Sequence, residues 1–376
     1  MIVLIIIIVA LIAIILYSFL YQQREKVTGH RPYLEGLLAL LENNEDLAMK
    51  KLKDTVSIDS SLIDAYIILG DLYRKRGDIP RAIQIHQSLT VRPTLKKHEE
   101  KKIYFALVED SLHANRPNKA VSFLKEILKI DKKDKRAQAL ILKIHEDMEN
   151  YGDCINMYEE GRIKPKQEKR HAFYYAAMAN KRLKNLPEEN VDLEKEAFNL
   201  FKKALKILPN SLTALYYLGN YFEQKNDLRK AQEYYLKIIR QHPEHAFLII
   251  PKFEKVYFEL GSFEEILPLY EKIFQERPKN FPVGFALANL YEKKNDVESA
   301  KDVYRKLSEL YPKSILPRLY ELQLMTEDKS IKRNIGDIEK KVRRQDYTCN
   351  NCRLETQNFS FICPRCHAIE SFLPSL

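Results

Sequence analysis

Four cysteines near the end of the chain carry its most specific chemistry. Cys349 and Cys352 form one C-x-x-C pair, Cys363 and Cys366 form a second, and ten residues separate the pairs. Two thiolates at this spacing bind one metal through a tight turn, and two such turns complete a tetrahedron of sulfur donors. Two disulfides would need an oxidising compartment instead. Five cysteines occur in all, which leaves Cys154 as a free thiol that reads as a small, partly buried helix residue. The other familiar catalytic patterns, GxxxxGK[ST], GxGxxG after a strand, HExxH and GxSxG, are missing from the sequence. The nine histidines are scattered, and the closest pair, His242 and His245, brackets Pro243 and reads as a solvated loop rather than a ligand pair. No catalytic residue is expected, and the cysteines are expected to hold a structural metal.

Thirty residues cannot bury enough apolar surface to fold alone, so metal binding should be coupled to folding of the tail. The segments YTCNNC and FICPRC resemble a rubredoxin-type or zinc-ribbon knuckle pair. Knuckles of that kind usually carry glycine just after the second cysteine, where this chain has Arg353 and His367. That departure weakens an electron-transfer reading and favours one structural zinc ion, with iron as the alternative that four thiolates also accept. His367 adjoins Cys366 and reads as an exposed neighbour rather than a fifth ligand.

The body that must carry this tail repeats itself. Gly219 and Ala288, Phe222 and Tyr291, Ala231 and Ala300, Tyr235 and Tyr304, and Pro243 and Pro312 are each separated by 69 residues, and Ala48 to Ala82 and Ala197 to Ala231 by 34. A copy with Tyr257, Gly261, Ile266, Tyr270 and Pro278 lies between the first two, and earlier copies run through Gly36, Gly70, Tyr73, Leu107 and Ala120. Small residues are needed where two helices cross closely, aromatics one turn away fill the gap, and proline closes the second helix. The turns recur as Gly77-Asp78, Asn226-Asp227, Gly261-Ser262 and Asn295-Asp296, each a residue tolerant of the left-handed conformation followed by an oxygen-bearing cap. This pattern resembles the tetratricopeptide repeat over residues 31–316, in about eight copies, with a degenerate fourth turning at Gly152-Asp153. An insertion, LKNLPEENVDLEKEA, precedes Ala197. The fold class expected is all-α: a tetratricopeptide-repeat superhelix that presents an extended surface to peptides or partner helices.

Met1 to Tyr21 is apolar apart from Ser18, and about twenty residues at about 1.5 Å each span a bilayer core of about 30 Å. The run is longer than the apolar core of a signal peptide and has no basic segment before it, so it reads as a retained transmembrane anchor. Arg24, Lys26 and Arg31 follow directly and put the rest of the chain on the cytoplasmic side. Residues 22–30 then form a juxtamembrane linker, 317–345 a basic capping helix or linker, and 346–376 the metal module, which should dock against that cap. The formal net charge of +10 is mixed along the chain rather than gathered into one block, so nucleic acid is not an expected partner.

Anchor at Met1 to Tyr21, repeats from Gly36 through Pro312, and the cysteines Cys349, Cys352, Cys363 and Cys366, in that order, resemble the lipopolysaccharide assembly protein B family. The resemblance implies a single-pass inner-membrane adaptor that binds the lipid A pathway deacetylase and promotes its degradation by the membrane-bound ATP-dependent zinc protease. It leaves a homo-oligomer open. A scaffold for another envelope machine, such as secretion, pilus or cell-wall assembly, is the alternative reading.

Overall fold

The structure is a computed structural model that describes residues 12, 14–17, 31–93, 95–161, 167–185, 191–342 and 346–375. Of the expected anchor, only Ile12 and Ile14 to Tyr17 fall among these, and they are helical; the linker at 22–30 lies outside them. No described helix is long and apolar enough to cross a membrane.

The chain divides into two compact units, Met1–Ile144 and His145–Leu376. The first contains α1 (31–41), α2 (Glu45–Ile58), α3 (Ile63–Lys75), α4 (Ile79–Thr90), α5 (Lys97–His113), α6 (Pro117–Ile130) and most of α7 (Lys135–Asp147). Its core is built from Ala39, Ala48, Leu52, Leu69 and Leu72, continued by Leu89, Ile103 and Leu107. A polar group is sealed within it: buried His86 donates from Nδ1 to Asp110 at 2.6 Å, and Arg74 donates to the same carboxylate at 2.7 Å.

The second unit contains α8 (Tyr151–Glu159), α9 (Glu168–Lys184), α10 (Val191–Ile207), α11 (Leu212–Gln224), α12 (Leu228–Gln241), α13 (Ile250–Glu259), α14 (Ile266–Glu276), α15 (Phe281–Lys293), α16 (Val297–Leu310), α17 (Leu316–Met325) and α18 (Lys329–Val342). A 3-10 turn, Pro243–Leu248, follows α12. Three short strands close the chain: β1 (Tyr347–Cys349), β2 (Glu355–Thr356) and β3 (Phe372–Pro374). The segment expected to be a single cap is thus a pair, α17 and α18, separated at Asp328, whose carboxylate accepts from Ser330 N at 2.7 Å.

One turn geometry recurs within both units. Gly77, Asn226 and Asn295 take the left-handed conformation, and each lets the next residue's N–H reach back 2.9 Å to a carbonyl in the preceding helix. Asp78, Asp227 and Asp296 then cap the following helix by accepting from its third N–H. Ser262, by contrast, makes no side-chain cap bond and opens a 3-10 turn. The fourth repeat corrects its sequence reading as well. Its left-handed residue is Glu149, at φ +53°, and Gly152 sits inside α8. The insertion before Ala197 lengthens both flanking helices, α9 and α10 having 17 residues each against 13 and 14 for α11 and α12.

The small residues stand where close crossing requires them. Ala48, Ala82, Ala120, Ala197, Ala231 and Ala300 are all fully buried. A Cβ at Gly219 would sit 2.5 Å from the ring of Tyr235, which packs there with its hydroxyl on Asn220 and Glu223. Tyr304 repeats that bond pair on Asn289 and Glu292, 69 residues later. Gly219→Val is therefore expected to destabilise the second unit by about 1–3 kcal/mol through overpacking, whereas Gly336→Ala, with nothing within 4 Å of its Cβ, should be neutral or stabilising. Urea unfolding followed by circular dichroism checks both, and equal midpoints for wild type and Gly219→Val would contradict the close crossing.

Candidate metal centre and its seat on the repeats

The module is organised by its two knuckles. Strand β1 pairs antiparallel with β2, Tyr347 opposite Thr356, and with β3, Cys349 opposite Phe372, so the first C-x-x-C turn hangs between β1 and β2. The second knuckle is enclosed by a bridge between Ile362 and Ile369. In each, an N–H just past the second cysteine bonds the carbonyl of the first: Arg353 to Cys349 at 2.9 Å and His367 to Cys363 at 2.8 Å. Arg353 and His367 are both left-handed, at φ +58° and +57°. The backbone therefore keeps the knuckle conformation without the glycines that usually supply it, at a cost of about 1–2 kcal/mol per residue.

The turns bring all four sulfurs within 4.8 Å of one another. Cys349 Sγ lies 3.7 Å from Cys366 Sγ, and Cys352 Sγ lies 3.6 Å from Cys363 Sγ. A tetrahedral zinc with bonds of about 2.3 Å holds its sulfurs about 3.8 Å apart, so the donor set fits such an ion. Burial acts against charging Cys349, but Ser371 and the N–H groups of Cys352 and Asn351 outweigh it and hold that thiol down to about 6. Cys366 is also lowered, burial again being overcome, here by Asn351 and the N–H of Ala368. Cys352 and Cys363 are raised, first by burial and further by sharing hydrogen bonds with the other sulfurs, Cys363 to about 12. A divalent cation removes the penalty that opposes four thiolates in so small a space. Cys154 stands apart: it is fully buried, and burial followed by the charge of Glu146 pushes its thiol well above the ordinary range.

Among the described residues, the module's anchoring contacts lie on α7, α9, α11 and the 3-10 turn after α12, and not on the capping helices where the sequence reading expected them. His367, read as an exposed neighbour, is buried and donates from Nδ1 to Glu146 Oε2 at 2.6 Å, with Nε2 at an ion-pair distance of 3.2 Å from Asp147. Glu146 also accepts from Arg170 and Tyr174. Arg170 donates in turn to the carbonyl of His367 at 2.5 Å. A second clamp lies nearby, where buried Glu370 accepts from the N–H and hydroxyl of Thr213 at 2.9 and 2.7 Å and pairs with Lys169 at 3.2 Å. Aromatic contacts fill the seam: Phe361 meets Tyr216 and Tyr217, and Phe247 meets Tyr347 and Phe359. Sequence reading missed Glu146, Arg170, Thr213, Phe247 and Glu370. The one available signal was His367 itself, a non-glycine residue at a position that disfavours one.

The fold and this centre define a class: an all-α, tetratricopeptide-like repeat protein with a four-cysteine module folded onto its repeats. Models described as tetratricopeptide repeat match residues 65–99, 213–245 and 257–323. Along its length the chain is similar to lipopolysaccharide assembly protein B of Escherichia coli K12, 25% identical over 357 residues and covering 92% of this chain and 89% of that one. It is 26% identical to the protein of the same name from Haemophilus influenzae Rd, with the same coverage of both chains. Among solved structures, the MamA protein is 19% identical, with a TM-score of 0.33 over 48% of this chain and 91% of that one. The relatives are named for assembly, and the tetratricopeptide-like repeats give this chain the architecture of an interaction scaffold rather than of an enzyme.

Replacing Glu146 with alanine leaves Arg170 and His367 without their shared buried partner, and should cost about 3–5 kcal/mol. Removing the metal with a strong chelator should release the whole seam, because the knuckle that presents His367 loses its order. Hydrogen exchange reads both: residues 346–375 and the facing parts of α9 and α11 should lose protection together, and a module that stays protected after chelation would refute the coupling.

Proposed function

We propose that this chain is a membrane-tethered adaptor that regulates lipopolysaccharide synthesis by holding the lipid A pathway deacetylase for degradation by the membrane-bound ATP-dependent zinc protease. The observation that carries the proposal is the similarity to lipopolysaccharide assembly protein B, which covers 92% of this chain and 89% of that one and so extends well beyond a shared repeat. In this reading residues 1–21 anchor the chain in the inner membrane with its bulk in the cytoplasm, and residues 22–30 link the anchor to eight repeats over 31–316. Residues 317–345 cap the repeats, and Cys349, Cys352, Cys363 and Cys366 hold one structural zinc in the module at 346–376. The repeats offer the client a surface, and the module stiffens the repeats on which it sits.

The anchor's contribution is one of effective concentration. A span that confines adaptor and protease to one plane makes their encounter far more frequent than free diffusion does. Affinity capture with the intact, membrane-extracted protein should recover the deacetylase and the protease; recovery of secretion, pilus or cell-wall components in their place would favour the alternative scaffold. Deleting residues 2–21 should leave capture of the deacetylase intact while lengthening its half-life in cells several-fold. An unchanged half-life would remove the membrane from the mechanism.

A further inference from the structure

The turn that follows α12 gathers three more ligating groups, well away from the cysteines in sequence. His242, Glu244 and His245 place one donor atom each within 4.8 Å of one another. Glu244 Oε1 is 3.3 Å from His245 Nδ1 and 3.9 Å from His242 Nδ1. A zinc ion with bonds of about 2.1 Å sets its ligand atoms about 3.4 Å apart, so these separations need only a small closure. The sequence reading took this pair for a solvated loop, yet His245 is more than nine-tenths buried and His242 is largely so. Glu244 is half exposed, which leaves an entry path.

The hydrogen bonding around His242 points the same way. Its Nε2 lies 2.5 Å from the carbonyl of Asn210, which can only accept, so Nε2 is the donor of this bond. The other ring nitrogen, Nδ1, faces the Glu244 carboxylate at 3.9 Å. Histidines that bind metals are commonly oriented in this manner, one nitrogen donating to a backbone carbonyl while the other faces the ion. Pro243 starts the 3-10 turn, and His242 is its N-cap residue.

We propose that His242, Glu244 and His245 form a second metal site that takes a borderline divalent cation such as zinc, cobalt or nickel. Two imidazoles and one carboxylate suit that class of ion and leave coordination positions open. Glu244 also lines a cleft, together with Lys279, Phe281 and Tyr311 from the repeats and Asn350 and Arg353 from the module. A metal held there would offer a ligand site where the module and the repeats meet.

Calorimetric titration of the full-length, detergent-solubilised protein with zinc, after one equivalent has filled the cysteine module, tests the site. A second equivalent should bind to the wild type. His242→Gln and Glu244→Gln should each weaken that second event by at least about tenfold, the loss that follows even when only an outer partner of a ligand is removed, and leave the first event unchanged. Glu244→Gln falls on a half-exposed side chain, so it spares the fold even where His242→Gln disturbs it, and a second measurement is independent of both. Cobalt added to the zinc-loaded wild type should give a weak spectrum of nitrogen and oxygen ligation without thiolate charge-transfer bands. Uptake of a single zinc by the wild type, a second event that survives both substitutions within about twofold, or a cobalt spectrum of thiolates alone would each overturn the assignment.

Discussion

A carboxylate that is 98% removed from solvent has to find its solvation inside the protein, and Glu146 finds it in three places at once. Arg170 and Tyr174 supply donors from α9, and His367 supplies one from the second cysteine knuckle. Leaving such a charge unmatched costs several kcal/mol, so the three donors are held as a set. The position of the module follows from that requirement. Once His367 is committed to Glu146, the carbonyl of the same residue meets Arg170, Glu370 reaches Thr213, and the aromatic seam from Phe247 to Phe361 closes beside them.

That arrangement also explains why the second knuckle dispenses with glycine. A left-handed histidine is an expensive way to turn a chain, and the expense is tolerated because the side chain does what glycine cannot, carrying a donor into the repeats. Glu370, also left-handed at φ +52°, repeats the compromise at the second clamp. The metal module is therefore more than an appended tail: two of its three left-handed non-glycine residues, His367 and Glu370, are the ones that hold it to the scaffold.

Much of this was legible in the sequence, and for local reasons. The cysteine spacing reports a turn of a few residues, and the recurring Gly, Ala and Asn-Asp positions report helix crossings and caps that each depend on close neighbours. Gly152 misled because a Gly-Asp pair imitates a turn, whereas Glu149 takes the left-handed position three residues earlier. The seat of the module was illegible for the opposite reason. Glu146 and His367 are 221 residues apart, and Thr213 and Glu370 are 157 apart, and nothing in the local pattern of either partner announces the other. The cap drew the module in the sequence reading only because it is adjacent in the chain, and adjacency proved a poor guide.

Those separations bear on how the chain is made. At synthesis rates of about 5–20 residues per second, the 221 residues between Glu146 and His367 take about 10–45 s to emerge. Throughout that interval the middle helices exist without the group that completes them, and a ribosome that stops early leaves Glu146 and Thr213 permanently without their distant partners. The clamp thus forms only once residue 367 has emerged, and a product truncated before it leaves the facing surfaces of α9 and α11 uncovered.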